Sequence, residues 1–407
     1  AIDFRTGGGV HVVHFAELRV TDASGRELPA WMEGFSANGG RAIRIVFDDA
    51  DAAYPVTIDP LATSPAWTAE SDQSSALFGY SVATAGDVNG DGYSDVIVGA
   101  PYYDNGQSDE GRAYVYHGSP SGLSAVAAWT AESDQEYAYF GRSVATAGDA
   151  NGDGYSDVIV GAPSYDNGQV DEGRAYVYHG SASGLSTVAA WTAESDQASA
   201  LFGMSVSTAG DVNGDGYSDA IVGAYGYDNG QTDEGGAYVY HGSEAGLSTV
   251  AAWTSECDQV GAYFGYSVST AGDVNGDGYS DVIVGALNYD NGETDEGRAY
   301  VYHGSASGLS SAIAWMMENG QADSYVSSVG TAGDVNGDGY SDVIVGASSY
   351  DNGEGPAGRA CAYLGSAAGL SMAPAWTAVS DQEWSYFGGS VSTAGDVNGD
   401  GYSDVIV

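Results

Sequence analysis

The nine residues DVNGDGYSD at Asp87–Asp95 carry oxygen-bearing side chains at positions 1, 3, 5 and 9, which are Asp87, Asn89, Asp91 and Asp95. Gly92 at position 6 allows the chain to bend sharply, and Tyr93 at position 7 can turn its backbone carbonyl inward. Oxygen donors on alternate residues of a tight loop are the ligands that a hard cation such as calcium prefers. The stretch therefore predicts a calcium-binding loop.

This acidic loop is repeated through most of the chain. Six copies occur at spacings of 61 or 62 residues and begin at Asp87, Asp149, Asp211, Asp273, Asp334 and Asp396. A single copy is compatible with a plain acidic turn, but six copies that keep every donor position favour metal binding. The loop is not an EF-hand, because position 12 is Val98 instead of glutamate and a strand-like run follows in place of a helix.

Each repeat has the pattern of four short strands. In the first unit one run ends in small residues at Ala83–Gly86, a β-branched run follows at Asp95–Pro101, and two more lie at Arg112–Gly118 and Ala128–Ala131. Glycine and asparagine turns separate the runs, and no helical periodicity is present. This pattern predicts an all-β fold, a β-propeller with one four-stranded sheet per repeat. A parallel β-helix has far shorter repeats, and a linear array of modules would leave apolar sheet faces exposed to water.

The first part of the chain lies outside the repeat. Residues 1–62 hold four strand-like runs and predict a small β-rich segment, either an appendage or the end of a preceding β-domain; the runs are Val10–Phe15, Leu28–Glu33, Arg41–Phe47 and Tyr54–Asp59. Pro60–Pro65 has the composition of a linker, so the repeat domain is expected at 63–407. No signal peptide is visible at the amino terminus, and no run approaches the ~18 apolar residues of a membrane-spanning helix.

The charge balance excludes some classes of partner. The chain has 10 basic residues, all of them arginine, against 56 acidic residues, and its formal net charge is −46. Such a chain repels the phosphates of nucleic acids and anionic membrane surfaces. It suits an extracellular, calcium-rich or salty environment, in which cations neutralise carboxylates.

The motifs of the repeat resemble those of a known family. Phe-Gly precedes the acidic loop in five units, at Phe78-Gly79, Phe140-Gly141, Phe202-Gly203, Phe264-Gly265 and Phe387-Gly388. Gly-Ala-Pro follows the loop at Gly99–Pro101 and Gly161–Pro163, whereas later copies keep only Gly-Ala, and the fifth unit has Tyr325-Val326 in place of Phe-Gly. Together these residues resemble the FG-GAP repeat of integrin α-subunit propellers, over roughly Trp67–Val407.

The resemblance implies a seven-bladed propeller, of which this sequence supplies five whole units and the start of a sixth, so we expect a truncated protein or a fragment. It also implies one calcium ion per loop, coordinated by the side chains at positions 1, 3, 5 and 9 and by the carbonyl at position 7. These residues are Asp87, Asn89, Asp91, Tyr93, Asp95, Asp149, Asn151, Asp153, Tyr155, Asp157, Asp211, Asn213, Asp215, Tyr217, Asp219, Asp273, Asn275, Asp277, Tyr279, Asp281, Asp334, Asn336, Asp338, Tyr340, Asp342, Asp396, Asn398, Asp400, Tyr402 and Asp404.

The bound ion is expected to be structural and not to bridge a ligand. Three carboxylates that converge on one hairpin repel each other, so a cation would lock the turn between the first two strands. Calcium is favoured over magnesium because a flexible cage made only of oxygen atoms suits the larger ion.

Catalysis is not expected. The sequence contains no GxSxG, HExxH or GxxxxGK motif. The acidic pair Asp109-Glu110 and its copies lie beside Arg112 at a predicted hairpin tip. A solvated turn with a local ion pair explains this pair better than general acid–base chemistry does.

The stretch that enters each Phe-Gly differs between units and reads QSSAL, QEYAY, QASAL, QVGAY, QADSY and QEWSY. These loops lead from an outer to an inner strand, on the face opposite the calcium hairpins, which binds ligands in integrin-like propellers. The aromatic residues in them are candidates to stack on a sugar or contact a protein: Tyr137, Tyr139, Tyr263, Trp384 and Tyr386. Variation under weak constraint explains the differences equally well.

The sequence therefore supports an extracellular, secreted or cell-surface propeller that is stabilised by calcium and serves as an adhesion or ligand-binding module. Its expected partner is a protein or carbohydrate ligand on the loop face, and nucleic acid is not expected. A carbohydrate-binding lectin, a non-catalytic domain of a secreted enzyme and a structural surface-layer component are the alternatives.

Overall fold

The computed structural model describes residues 2–5, 11–24, 26–37, 40–49, 52–53, 56–62, 65–353 and 355–407. The chain divides into two compact units, Ala1–Ala69 and Glu70–Val407. The sequence-based boundary after residue 62 stays a prediction. All regular secondary structure in the described residues is β-strand, so they include no helix with the length and hydropathy to cross a membrane.

The first unit consists of two small antiparallel sheets. One has the strand order β1-β2-β5, formed by Ile2–Arg5, His11–Thr21 and Thr57–Ala62. The other pairs β3 (Ala30–Ala37) with β4 (Gly40–Phe47). The predicted linker is wrong at its start, because Pro60 pairs with Leu18 inside β5. The predicted strand starts at Val10 and Tyr54 lie outside the described residues.

Each complete repeat of the second unit forms one four-stranded antiparallel sheet. In the first repeat the strands are hydrogen-bonded in chain order, β6 (Ser81–Gly86), β7 (Asp95–Ala100), β8 (Arg112–Tyr116) and β9 (Trp129–Glu132). The β-branched β7 lies between two strands and is almost entirely buried, as predicted. A β-bulge between Thr84 and Gly86 turns the chain into the acidic hairpin, and Gly86 has a φ of 73° there.

Each of the next four repeats forms a separate sheet with the same strand order. Their strands are β10 (Ser143–Gly148), β11 (Asp157–Ala162), β12 (Arg174–Tyr178) and β13 (Trp191–Glu194), then β14 (Ser205–Gly210), β15 (Asp219–Ala224), β16 (Gly236–Tyr240) and β17 (Trp253–Ser255), then β18 (Phe264–Gly272), β19 (Asp281–Ala286), β20 (Arg298–Tyr302) and β21 (Trp315–Glu318), and then β22 (Ser328–Gly333), β23 (Asp342–Ala347), β24 (Arg359–Tyr363) and β25 (Trp376–Val379). The sixth repeat contributes β26 (Ser392–Gly395) and β27 (Asp404–Ile406). The predicted five whole repeats and one partial repeat are confirmed.

The hydrophobic core lies between neighbouring sheets. Ile97, Val115 and Trp129 of the first sheet share one buried cluster with Phe140 and Val158 of the second. Similar clusters join the later sheets, and the innermost strands of successive sheets contact one another. Because each sheet covers the apolar face of the next, the sheets stack in chain order as the blades of a β-propeller.

Two glycine motifs meet where adjacent blades pack. A Cβ atom added to Gly99 would stand 1.9 Å from the carbonyl oxygen of Gly141, which belongs to the Phe-Gly of the next blade. The same 1.9 Å approach recurs at Gly161/Gly203, Gly223/Gly265 and Gly346/Gly388. Phe-Gly and Gly-Ala-Pro are therefore the two sides of one backbone contact, with no room for a methyl group between them.

The junction between the fourth and fifth blades lacks this contact, and the fifth blade also lacks the Phe-Gly motif. Val326 stands where the other blades have the phenylalanine of Phe-Gly. The nearest atoms to a Cβ on Gly285 would be the Cγ1 atoms of Val326 and Val329, both at 3.4 Å. That distance is ordinary van der Waals contact. The departure at Tyr325-Val326 therefore relaxes the requirement for glycine on the neighbouring blade.

Polar contacts also join the blades at their inner and outer edges. Ser81 Oγ accepts the Val144 N–H at 3.1 Å, and each following pair of inner strands repeats this bond. At the outer edge Trp129 Nε1 donates to the Ser186 carbonyl at 2.8 Å, and its ring stands edge-on to Tyr178 at 4.8 Å. Each of these donors is satisfied only when the neighbouring blade is in place.

The glycine contact predicts different costs at two equivalent positions. Gly99→Ala should lower the free energy of unfolding by about 1–3 kcal/mol, because the methyl group forces two blades apart. Gly285→Ala is the matched control and should change it by less than about 1 kcal/mol. Urea denaturation of both variants measures the difference, and equal losses would contradict the proposed steric origin.

Candidate functional site

The first aspartate of each acidic hairpin holds the loop in shape. Asp87 Oδ1 accepts the N–H groups of Gly90 at 2.7 Å and Asp91 at 3.1 Å, while Oδ2 accepts that of Gly92 at 2.8 Å. The equivalent of the Gly92 bond recurs in the other five hairpins. Gly92 has a φ of 88°, as the predicted sharp bend at position 6 requires.

The side chains at positions 3 and 5 fold over the same loop. Asn89 Oδ1 accepts the Asp91 N–H at 3.0 Å, and Asp91 Oδ1 accepts the Tyr93 N–H at 3.0 Å. Asn89 Nδ2 donates to Asp91 Oδ2 at 3.1 Å. Three oxygen-bearing side chains thus converge on one exposed turn, and each carboxylate oxygen that accepts one N–H keeps a further lone pair for a cation.

Position 9 differs from the other donor positions because it is buried. The fully buried carboxylate of Asp95 accepts the Val88 N–H through Oδ2 at 3.0 Å and the Gly118 N–H through Oδ1 at 2.7 Å. It therefore ties the hairpin to the connection between β8 and β9. Burial raises the pKa of the equivalent Asp157 and Asp281 to about 7 and that of Asp219 to about 6.

Within the described residues of the second unit, no arginine balances the carboxylates at the hairpin end. Its five arginines stand at the opposite end of the sheets, either at the start of a third strand or just before β10: Arg112, Arg174, Arg298, Arg359 and Arg142. Among the described hairpin carboxylates, the closest basic side chain is His179, whose Nε2 stands 3.9 Å from Asp157 Oδ2. Burial lowers the pKa of His179, which disfavours its charged form.

Neighbouring hairpins contact each other. The Asp87 carbonyl accepts the Ser156 N–H of the next hairpin at 3.0 Å, and the same bond joins every following pair. A Cβ atom on Gly90, where φ is 71°, would stand 2.6 Å from the Tyr155 ring. The hairpins therefore stabilise the junctions between blades as well as the turns within them.

The loops that enter each inner strand carry side chains in an unfavourable backbone region. Two positions per loop have positive φ, and eleven of the twelve hold a non-glycine residue: Ser75, Leu77, Tyr137, Tyr139, Ser199, Leu201, Tyr263, Asp323, Tyr325, Trp384 and Tyr386. All five aromatic residues singled out from the sequence belong to this set. Tyr137, Trp384 and Tyr386 are 50–59% exposed.

The structure brings the other two aromatic residues into small clusters. Tyr139 packs against Tyr102 with ring centroids 5.1 Å apart, and Tyr263 meets Tyr225 at 5.3 Å. The loops come before the inner strand of each sheet and the acidic hairpins come after it. The two sets therefore lie at opposite ends of the sheets.

Sequence reasoning missed four residues at this end. Arg142 lies 4.1 Å above the Tyr80 ring, and Tyr266 contacts Tyr225 at 5.6 Å. Within the described residues no carboxylate pairs with Arg142, and burial lowers the pKa of its guanidinium. Three of these residues directly follow Phe-Gly and Tyr225 follows Gly-Ala, so comparison of those positions between repeats would have found them.

The prediction for Glu110 is wrong. Glu110 is fully buried, as are Glu172 and Glu234, and it does not lie on a solvated turn. The loop after β7 folds back over this carboxylate, and Glu110 Oε1 accepts the Asn105 N–H. Arg112 pairs with Glu132 on β9, not with the acidic pair beside it.

A family model confirms the nature of the repeats. The model described as FG-GAP repeat matches residues 78–116, 140–178, 202–240, 264–302 and 325–360. The chain is an FG-GAP repeat protein. Each matched segment begins at the Phe-Gly position and covers the acidic hairpin and the first strands of one blade.

Curated relatives of this FG-GAP protein are integrin α-subunits. Integrin alpha-V of Gallus gallus is 36% identical over 244 residues, which is 57% of this chain and 22% of that protein. Integrin alpha-PS2 of Drosophila melanogaster is 35% identical over 230 residues, or 53% of this chain and 16% of that protein. The matches thus span about a fifth of these relatives' length. The solved structure of an exotype rhamnogalacturonan lyase, YesX, aligns with 74% of this chain and 66% of the lyase chain at 16% identity, with a TM-score of 0.38.

The hairpin geometry predicts separate roles for two aspartates of one loop. Asp157→Ala should lower the free energy of unfolding by about 2–4 kcal/mol even with a chelator present, because it leaves two buried N–H groups unpaired. Asp153→Ala, the exposed control, should cost less than about 1 kcal/mol under the same conditions. Urea denaturation in chelator measures both, and equal losses would refute the structural role of position 9.

Proposed function

We propose that this FG-GAP protein is an extracellular, calcium-stabilised ligand-binding or adhesion module without catalytic activity. The acidic hairpins hold calcium at one end of the blades, and the loops at the other end contact the ligand. One observation supports the binding role. The loops that enter the inner strands carry non-glycine side chains at positive-φ positions, where glycine would be free of strain.

The donor set of the hairpins fits calcium. In each of the six hairpins, the side chains at positions 1, 3, 5 and 9 and the carbonyl at position 7 offer only oxygen, including three carboxylates. No arginine of the described repeats neutralises these carboxylates. When bound, calcium supplies that positive charge and fixes the turn between the first two strands. The protein residues shape the loop and seal it against the next blade.

Backbone strain supports a role for the side chains on the opposite loops. A left-handed conformation costs a non-glycine residue roughly 1–2 kcal/mol. Glycine occurs at only one of the twelve positions, at Gly261, although it would remove that cost. Because Tyr137 and Trp384 are half exposed, packing does not account for their large side chains. Strain of this kind is concentrated at functional sites.

The chemistry of this end suits a protein or carbohydrate ligand. Exposed tyrosine and tryptophan rings can stack on a sugar or form the anchors of a protein interface. The unpaired guanidinium of Arg142 adds a contact for an anionic group of the ligand. Similarity to integrin α-subunits favours a protein ligand over a lectin function or a role as the non-catalytic part of a secreted enzyme.

Removal of calcium should destabilise the protein. Addition of a calcium chelator should lower the melting temperature by several degrees, because three uncompensated carboxylates then remain in each hairpin. Calcium should restore the original value and magnesium should restore little of it. Differential scanning calorimetry measures the shift. A melting temperature that does not respond to chelator would sink the calcium proposal.

Removal of the strained aromatic side chains should weaken ligand binding without lowering the stability of the fold. Tyr137→Gly and Trp384→Gly should leave the free energy of unfolding within about 1 kcal/mol of the original value, since relief of strain offsets the entropy of glycine. The same variants should lose at least about tenfold in affinity for a ligand identified on protein and glycan arrays.

Ser75→Gly and Ser199→Gly are the matched controls, because they change the same loop position without removing an aromatic ring. They should keep the affinity of the original protein. Binding that survives both aromatic substitutions would place the ligand site elsewhere.

A further inference from the structure

A buried carboxylate with one unsatisfied oxygen recurs in three blades. Glu110 ends the loop between β7 and β8 and has no exposed surface. Its Oε1 accepts the Asn105 N–H, but its Oε2 has no hydrogen-bond partner. Glu172 and Glu234 repeat both features in the second and third blades. A buried carboxylate oxygen without a partner is costly, so each position needs a compensating group.

Two further carboxylates lie close to the carboxylate of Glu110. Oxygen atoms of Glu110, Glu132 and Asp134 lie within 4.8 Å of one another. Glu132 accepts Asn105 Nδ2 at 2.8 Å through Oε2 and Arg112 Nε at 2.6 Å through Oε1. One guanidinium thus faces three carboxylates, and two negative charges remain when all three are ionised.

The fourth and fifth blades show how the chain manages without this cluster. In the fourth blade Gly320 replaces the aspartate, and its N–H donates to the second oxygen of Glu296 at 3.1 Å. In the fifth blade Ala357 replaces the buried glutamate and Val379 replaces its neighbour on the outer strand. The unsatisfied oxygen therefore occurs only where the blade also keeps the third carboxylate, Asp134 or its copies Asp196 and Asp258.

We propose that Glu110, Glu132 and Asp134 of the first blade bind a divalent cation at the end of the blade opposite the acidic hairpins. Among the described residues, only this blade brings the three carboxylates within 4.8 Å of one another. A set of carboxylate oxygens selects a hard ion, and calcium fits best because it accepts irregular, partly hydrated coordination. Two positive charges match the two uncompensated negative charges. The site is independent of the hairpins, which lie at the other end of the strands.

A proton is the main rival to a cation. Burial, and then the neighbouring Glu132, raise the pKa of Glu110. Protonation would remove the charge but would leave the three carboxylates without a common partner. A cation satisfies the unpaired oxygen and joins all three side chains.

The site lies directly beneath the loop that carries the exposed aromatic residues. Tyr137 N–H donates to the Ser108 carbonyl at 2.8 Å, and Tyr139 N–H donates to the Asp109 carbonyl at 3.2 Å. Phe140 N–H donates to the carbonyl of Glu110 itself at 3.0 Å. A cation bound to Glu110 and Asp134 would join both ends of this backbone ladder and hold Tyr137 in position.

Counting bound ions in matched variants tests the proposal. The full chain, the variant Glu110→Gln and the control Glu296→Gln are each freed of metal and dialysed against calcium chloride. Glu110→Gln should bind one calcium ion fewer per chain than the control, whereas the control should match the original protein. Equal numbers in Glu110→Gln and the control would overturn the proposal.

Thermal melting gives a second readout that a purely structural role would not produce. In chelator Glu110→Gln should melt at or above the temperature of the original protein, since glutamine removes the uncompensated charge, while Glu296→Gln should melt lower because Gly320 N–H loses its acceptor. Infrared spectroscopy tests the alternative of a bound proton. A carboxylic acid signal that persists at saturating calcium and disappears in Glu110→Gln would assign a proton to the site and refute the cation.

Discussion

The approach of one glycine backbone to another between adjacent blades is the constraint on which this propeller depends. Because the carbonyl of Gly141 lies where a Cβ of Gly99 would stand, neither motif tolerates a larger residue without moving a whole sheet. Four of the five junctions between the described blades make this contact, and the fourth does not. The inner-edge bond from the Val144 N–H to Ser81 and the outer-edge bond from Trp129 to Ser186 accompany it. Both bonds recur at later junctions and persist at the fourth. The two motifs that define the repeat are thus a packing requirement and carry no chemistry.

Charge is distributed unequally between the two ends of the blades. The hairpin end holds three carboxylates per loop and no arginine among the described repeats, whereas the loop end holds arginines, exposed aromatic rings and the buried glutamates. Under the proposed function, cations would hold one end of the blades while the other end is left to contact the ligand. Ions bound at the hairpins would then neutralise part of the net charge of −46.

Local patterns predicted the elements well and the environment of single side chains poorly. The β-branched run, the glycine bend and the small residues of the inner strand each fix a backbone conformation, so the four strands of a blade were predictable from one repeat. Glu110 was misjudged because burial of a loop residue depends on how the loop folds over it, and the acidic pair reads locally as a solvated turn. Arg142 and Tyr225 were missed because each contacts a residue of a neighbouring blade, Tyr80 and Tyr266 respectively, and these contacts form only after the sheets stack.

The sequence by itself determined the number of repeats, the four strands of each blade, the hairpin donors and the family, because each of these is written within about 60 residues of chain. Only the tertiary structure decided which glycines touch, that position 9 is a buried bridge to the next connection, and that three glutamates each keep an unpaired oxygen. These features arise between segments far apart in sequence. A repeat pattern fixes local geometry, whereas burial and pairing depend on which surface the neighbouring segment covers.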